Sequence, residues 1–214
     1  MMKHVNKIIK TIIYWDFFIN SAWGLLGPIF AIFIVQNIAV GNVAEGAKIA
    51  GFASLFYWVL KSLLQIPIGK YLDRNHGERD DFLFMVFGTF LTGLVPFGYL
   101  VSSHPWHIYL WQILHAVGMA MIIPANYAIF TRHIDKGKEA FEWGMETSSI
   151  GIGAGIAGGL SGILVAILGF KILFIFVSVF TIFSTILLLF IRNNISLRSK
   201  TSILFSGERP VVEP

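Results

Sequence analysis

The 214-residue chain contains no cysteine, which excludes a disulfide framework, a thiolate metal site and a dithiol redox pair. Charge is also scarce. Asp, Glu, Lys and Arg together make up 13% of the residues, against 56% hydrophobic ones, and mean hydropathy is +0.73. A soluble domain of this length has no interior large enough for that apolar surface. A bilayer has, because its hydrocarbon core of about 30 Å accepts spans of about 20 residues. Also missing are a glycine-rich phosphate loop ending in Lys-Ser/Thr, a His-Glu-x-x-His pair and a nucleophile elbow. The chain is therefore expected to be neither an enzyme nor a nucleotide-driven pump, and to hold no cofactor or metal. A net charge of +4 would suit a nucleic-acid partner if the basic residues formed a stripe on a polar face. They are instead confined to particular segments, so no nucleic acid is expected.

What is present is a series of long apolar stretches: Ile12–Ile38, Ala47–Ile68, Phe82–Val101, Trp106–Phe130, Thr147–Leu168 and Ile172–Ile191. Each reads as a transmembrane α-helix. The expectation is an all-α membrane protein with six spans in residues 12–191, flanked by polar segments 1–11 and 192–214. Three lysines precede the first stretch, as in a signal peptide, but the stretch is too long for an h-region and lacks a cleavage site, so it counts as a span. Thirteen of the sixteen Lys and Arg fall in four places: Lys3, Lys7 and Lys10; Lys70, Arg74 and Arg79; Arg132, Lys136 and Lys138; and Arg192, Arg198, Lys200 and Arg209. By the positive-inside rule these segments, and both termini, face the cytoplasm, with the cell membrane as the expected location. The sequon Asn194-Ile195-Ser196 would then lie on the wrong side for glycosylation.

Ionisable groups inside a span cost roughly 2.5–3.5 kcal/mol on insertion scales and so require a partner or a wet cavity. Asp16 is followed at helical spacing by Asn20, Gly24 and Gly27, a polar and small-residue face that should turn inward. Lys61 lies eight residues before Gly69, with Ser54, Trp58, Ser62 and Gln65 on about the same side. The sharper reading is that Asp16 and Lys61 line a central cavity, paired in one state and released to substrate or a proton in another. The plainer one is a membrane-edge anchor for Asp16 and a snorkelling side chain for Lys61. His115, with Gln112 nearby, could carry a proton, since its unperturbed pKa is near physiological pH; it could equally be a satisfied packing residue. Trp106, Trp111, Trp143 and Tyr14 read as interfacial anchors. Trp23 and Trp58 lie deeper, where they could pack helices or stack on a substrate.

In the fifth span Gly151, Gly155 and Gly159 repeat at four-residue spacing, and Gly158 with Gly162 makes a second row. Such seams let helix backbones meet in lipid. Whether the partner helix belongs to the same bundle or to another is left open by the spacing.

Between the second and third spans runs Gly69-Lys70-Tyr71-Leu72-Asp73-Arg74-Asn75-His76-Gly77-Glu78-Arg79. It resembles the Gly-x-x-x-Asp-Arg-x-Gly-Arg-Arg signature of the major facilitator superfamily, with one extra residue before Gly77 and Glu78 where a basic residue is usual. Leu26-Gly27-Pro28-Ile29-Phe30 resembles the family's first helix, and Gly118 with Pro124 its fourth. Gln112 stands where proton-coupled drug antiporters have Arg, and Ala154-Gly155-Ile156-Ala157-Gly158-Gly159 resembles the antiporter motif without its Pro. Both departures speak against a standard proton-driven drug antiporter.

The resemblance implies a transporter of a small solute, built from two six-helix bundles with the solute bound between them near the midplane. This chain matches the N-terminal bundle alone. A homodimer is the simplest completion; a second six-helix chain is another. In a homodimer the second helix of one copy faces the fifth of the other, and Asp73 approaches the partner helix start near Gly144–Thr147, where the helix dipole favours a carboxylate and Glu146 opposes it. Two alternatives remain: an accessory membrane subunit that does not itself transport, and the N-terminal half of a longer transporter. The few charges in the spans favour a neutral or amphipathic solute over a polyanion.

Overall fold

In hydrocarbon every backbone N–H and C=O must be paired within the protein, which leaves helices as the natural form of long apolar segments. The computed structural model describes residues 5–75, 77–192 and Ile195, and its described elements are all α-helices. They are α1 (Lys7–Asn37), α2 (Val43–Asn75), α3 (Glu78–Leu100), α4 (Pro105–His133) and α5 (Glu139–Leu189). All five are long and apolar enough to cross a membrane.

The starts of the helices follow from local chemistry. The Asn6 side chain accepts the Ile8 N–H at 2.9 Å and caps α1. Gly77, in an extended conformation, precedes α3, whose first turn carries Glu78, Asp80 and Asp81 at the positive end of its dipole. Pro105 opens α4, where its missing N–H costs nothing.

At 51 residues, α5 is about 76 Å of helix at 1.5 Å per residue, more than twice the thickness of a bilayer core. It is not straight. Gly169 has φ 75° and ψ 165°, a backbone region almost restricted to glycine, and divides α5 into arms 139–168 and 170–189. Thus the fifth and sixth expected spans form one helical run interrupted at Gly169.

Side-chain contacts fix the direction of each segment. On the first arm of α5, Ser149 donates to the Ile13 carbonyl of α1 and Gly158 lies by Gly24 and Pro28, so the two run parallel. On the second arm, Phe174 meets Phe33 and Phe180 meets Phe18, so this arm returns antiparallel to α1. Gly88 lies against Gly118 and Ile122, and Gly98 against Trp111, which makes α3 and α4 antiparallel. Phe56 with Tyr109 and Gly69 with Pro124 make α2 and α4 parallel.

Two apolar clusters occupy the ends of the bundle. One joins Ile9, Ile12, Leu72, Phe82, Phe130 and Leu188, and so gathers the start of α1, the α2–α3 and α4–α5 links and the end of α5. The other joins Phe33, Ile49, Tyr99, Ile108 and Phe174, near the α1–α2 and α3–α4 links and the Gly169 turn. The basic segments of the described chain therefore share one end. Around the bundle, Phe52, Leu63, Ile66, Ile156, Ile163 and Ile167 are exposed. An apolar girdle of this kind suits lipid, since soluble monomers rarely expose more than a few hundred Å² of contiguous apolar surface.

The helices extend further than the apolar stretches suggest. α1 begins at Lys7 within the expected 1–11 segment, and α2 and α3 consume most of the link between them. The signature segment is accordingly helix as far as Asn75, not an extended loop. Lys3, His76, Arg198, Lys200, Arg209 and the residues Asn194 and Ser196 of the sequon lie outside the described residues.

Candidate functional site

Asp16 of α1 is 5% exposed, and its Oδ2 accepts a hydrogen bond of 3.2 Å from Nδ2 of Asn126 on α4. Asn20, one turn on, donates instead to the Asp16 backbone carbonyl at 2.8 Å. Both line a cavity of about 300 Å³ that α5 closes with Glu146 and Ile150, α2 reaches with Tyr57, and α4 supplies with His115, Met119 and Asn126. Glu146 is 3% exposed. Polar groups from four helices thus meet in one cavity.

His115 forms the cavity's partition. Its ring stacks on Trp23 at 3.8 Å and 7°, and on Tyr57 at 4.5 Å. On the other side of this aromatic stack is a second cavity of about 170 Å³, lined by Gly27, Ser54, Tyr99 and Gln112 among others. Trp23, Tyr57 and His115 border both.

Lys61 does not pair with Asp16. Its ammonium lies 3.8 Å from the Trp58 ring centre and 5.3 Å from that of Tyr57, a cation–π arrangement suited to a desolvated charge. Helical register explains the separation. Tyr57 is level with His115, Lys61 is one turn further along α2, and Asp16 is level with Asn126, eleven residues along α4. About 10 Å of helix rise lies between the two charges. Gln65, another expected member, does not line either cavity.

The signature segment sits at the end of the bundle where the basic links gather. Gly69 lies close to Pro124, and Gly77 caps α3. Asp73 and Arg74 are exposed, and among the described residues neither joins a hydrogen bond or ion pair. The carboxylates that tie helices together here are others: Asp81 binds Arg132, and Glu78 is 3.4 Å from His133, joining the start of α3 to the end of α4. The Asp135 N–H donates to Glu142 at 3.1 Å and fastens the α4–α5 link. Within that link Lys138, 2.9 Å away, holds the Asp135 carboxyl below its ordinary range.

The glycine rows of α5 separate. A Cβ on Gly158 would lie 3.5 Å from the Gly24 carbonyl oxygen of α1, and Gly153, outside the expected rows, lies against Phe17 and Ser21. Gly151, Gly155, Gly159 and Gly162 have nothing within 4 Å of the Cβ each lacks. Among the expected interfacial aromatics, Trp106 and Tyr14 are exposed, whereas Trp143 packs on Phe130 at 4.4 Å and Trp111 against Gly98.

Sequence reasoning missed Asn126 and Glu146 as cavity residues. The signal was available. Asn126 follows His115 by eleven residues and Gln112 by fourteen, about three and four helical turns, so all three share a face of α4. Glu142 and Glu146 are likewise one turn apart and both buried.

The sequence model of the Major Facilitator Superfamily matches residues 16–213. With nearly the whole chain covered, this protein belongs to that superfamily of membrane transporters. No curated protein matches it.

Proposed function

We propose that the chain is a secondary transporter of a small solute, working by alternating access as a homodimer of six-helix halves. The observation that carries this reading is the cavity holding Asp16, Asn126, Glu146 and His115 between α1, α2, α4 and α5. Buried polar groups in a membrane bundle mark a solute or ion path. On this reading the two arms of α5 are separate crossings, giving six in all, and the end that carries the basic links and both termini faces the cytoplasm of the cell membrane.

The second half is supplied by another copy. α2 and α5 bury the smallest shares of their spans, and Phe52, Leu63 and Ile66 of α2 and Ile152, Ile156 and Ile163 of α5 are exposed. A second copy placed there would enclose the cavity between two bundles and bring the exposed Asp73 and Arg74 to the partner's α5 start. Rocking of the two bundles about this axis would expose the site alternately.

The test is uptake into proteoliposomes containing only this polypeptide, with a labelled panel of small solutes under imposed proton or sodium gradients. Concentrative uptake abolished by Asp16→Asn is the expected result. A well-assembled dimer that moves no member of the panel under either gradient would overturn the reading in favour of an accessory subunit.

A further inference from the structure

The cavity described above has an unusual balance of charge. Asp16 and Glu146 both line it and both are almost fully buried. Among the described residues no Lys, Arg or His forms an ion pair with either one. Lys61, the buried cation of the bundle, is engaged by Trp58 and Tyr57. Two carboxyls sharing a buried cavity are costly unless a proton or a positive charge neutralises them.

Asn126 holds one of these carboxylates in place. Asn126 is 5% exposed, and its Nδ2 is committed to Asp16. A carboxylate only accepts, so this bond fixes which way the amide points. Its Oδ1 is then left buried with no hydrogen-bond partner. The amide therefore serves the Asp16 carboxylate, at a cost in its own unmade bond.

The space also exceeds what a bare ion fills. About 300 Å³ is roughly ten times the volume of one liquid water. Its walls are largely apolar and aromatic, with Trp15, Trp23 and Met119 among them.

We propose that this cavity binds a small organic molecule through a primary ammonium group held by the carboxylates of Asp16 and Glu146, with Asn126 positioning Asp16. An –NH₃⁺ group only donates and a carboxylate only accepts, and the aromatic walls suit the carbon skeleton next to a cation. This names a substrate class, a cationic amphiphile, for the site read above as the transport site, and rests on that reading. It refines the neutral or amphipathic solute expected from the scarcity of charge along the chain.

Binding can be read without transport, so its failure and the failure of flux are separate results. The purified chain in mild detergent is titrated with hexylamine, 2-phenylethylamine and tryptamine, and with the alcohols of the same three skeletons, following thermal unfolding by tryptophan fluorescence. A saturable rise in midpoint with at least one amine, absent with its alcohol, is expected. Asp16→Asn and Glu146→Gln should each weaken that binding by about tenfold to a hundredfold, the loss of one charged hydrogen bond in a buried site. If either variant does not unfold cooperatively, Asn126→Leu, which keeps both carboxylates, must weaken the same amine by about tenfold. The proposal is overturned if no amine shifts the midpoint, if alcohols act equally, if the variants bind as tightly as the parent chain, or if sodium chloride alone gives the shift and displaces the amine.

Discussion

Two sets of glycines divide this bundle. Along the α3–α4 seam a Cβ on Gly88 would lie 2.7 Å from the Gly118 carbonyl oxygen, and one on Gly98 would run into the Trp111 ring. Backbone meets backbone at the first and an indole fills the space at the second, so a larger residue must displace its neighbours. On the first arm of α5, Gly151, Gly155, Gly159 and Gly162 meet nothing. Glycine inside a helix costs about 1 kcal/mol relative to alanine, so four of them on one outward face are a standing cost with no return within the chain. The same residue type thus serves intrachain packing in one place and, in the other, leaves a smooth outward face. Close approach of a second helix is the physical benefit that small-residue rows provide in lipid.

The sharpest way to break the comparison is to enlarge both sets. Gly98→Leu should cost at least about 1–3 kcal/mol through overpacking against Trp111, visible as a large drop in thermal midpoint and loss of a monodisperse elution peak. Next in size is Arg132→Met, which leaves the fully buried Asp81 without its cation. A drop of about 1–3 kcal/mol is expected, measured by thermal unfolding, and Arg132→Lys should recover part of it. Gly155→Leu belongs to the outward set and should change the stability of the isolated fold by no more than about 0.5 kcal/mol. Its effect should appear in native mass spectrometry as monomer in place of dimer.

The smallest effect is in the exposed α4–α5 link, where Lys138→Met removes the charge that holds Asp135 low. The Asp135 titration followed by NMR should move upward toward the ordinary carboxylate range. A carboxyl depressed in the folded state contributes at neutral pH, and that contribution fades as pH falls through its lowered value. In this exposed pair the fading should leave the unfolding midpoint unchanged.

Much of the fold was legible because lipid leaves few options. Long apolar spans in lipid favour helices, and the apolar stretches of this chain coincide with α1 to α5, none running more than two residues past a helix end. The break between the last two stretches was placed at Gly169-Phe170-Lys171, and the positive φ of Gly169 falls there. Less legible was its brevity, since helix resumes directly beyond Gly169. The signature segment misled in a different way, since its polar residues read as a loop although α2 continues as helix to Asn75. Of the site, Asp16, Asn20, Gln112 and His115 were found from polar residues interrupting apolar spans, and they line the two cavities. The expected pairing of Asp16 with Lys61 was not formed, because which turn of α2 stands beside which turn of α4 is set by packing at residues such as Gly69 and Pro124, far from either charge. Asn126 was overlooked although its register with Gln112 and His115 was readable, and Glu146 because it was counted with the helix start near Gly144–Thr147.

The central claim, that the outward faces of α2 and α5 meet a second copy, is tested most directly by cross-linking in this cysteine-free chain. Two differently tagged copies are co-expressed, one with Leu63→Cys on α2 and the other with Ile156→Cys on α5, both at exposed positions. A covalent heterodimer formed on mild oxidation in membranes, and lost when Gly155→Leu is added, is the predicted result. A chain that stays monomeric under the same oxidation, and in native mass spectrometry, would contradict it.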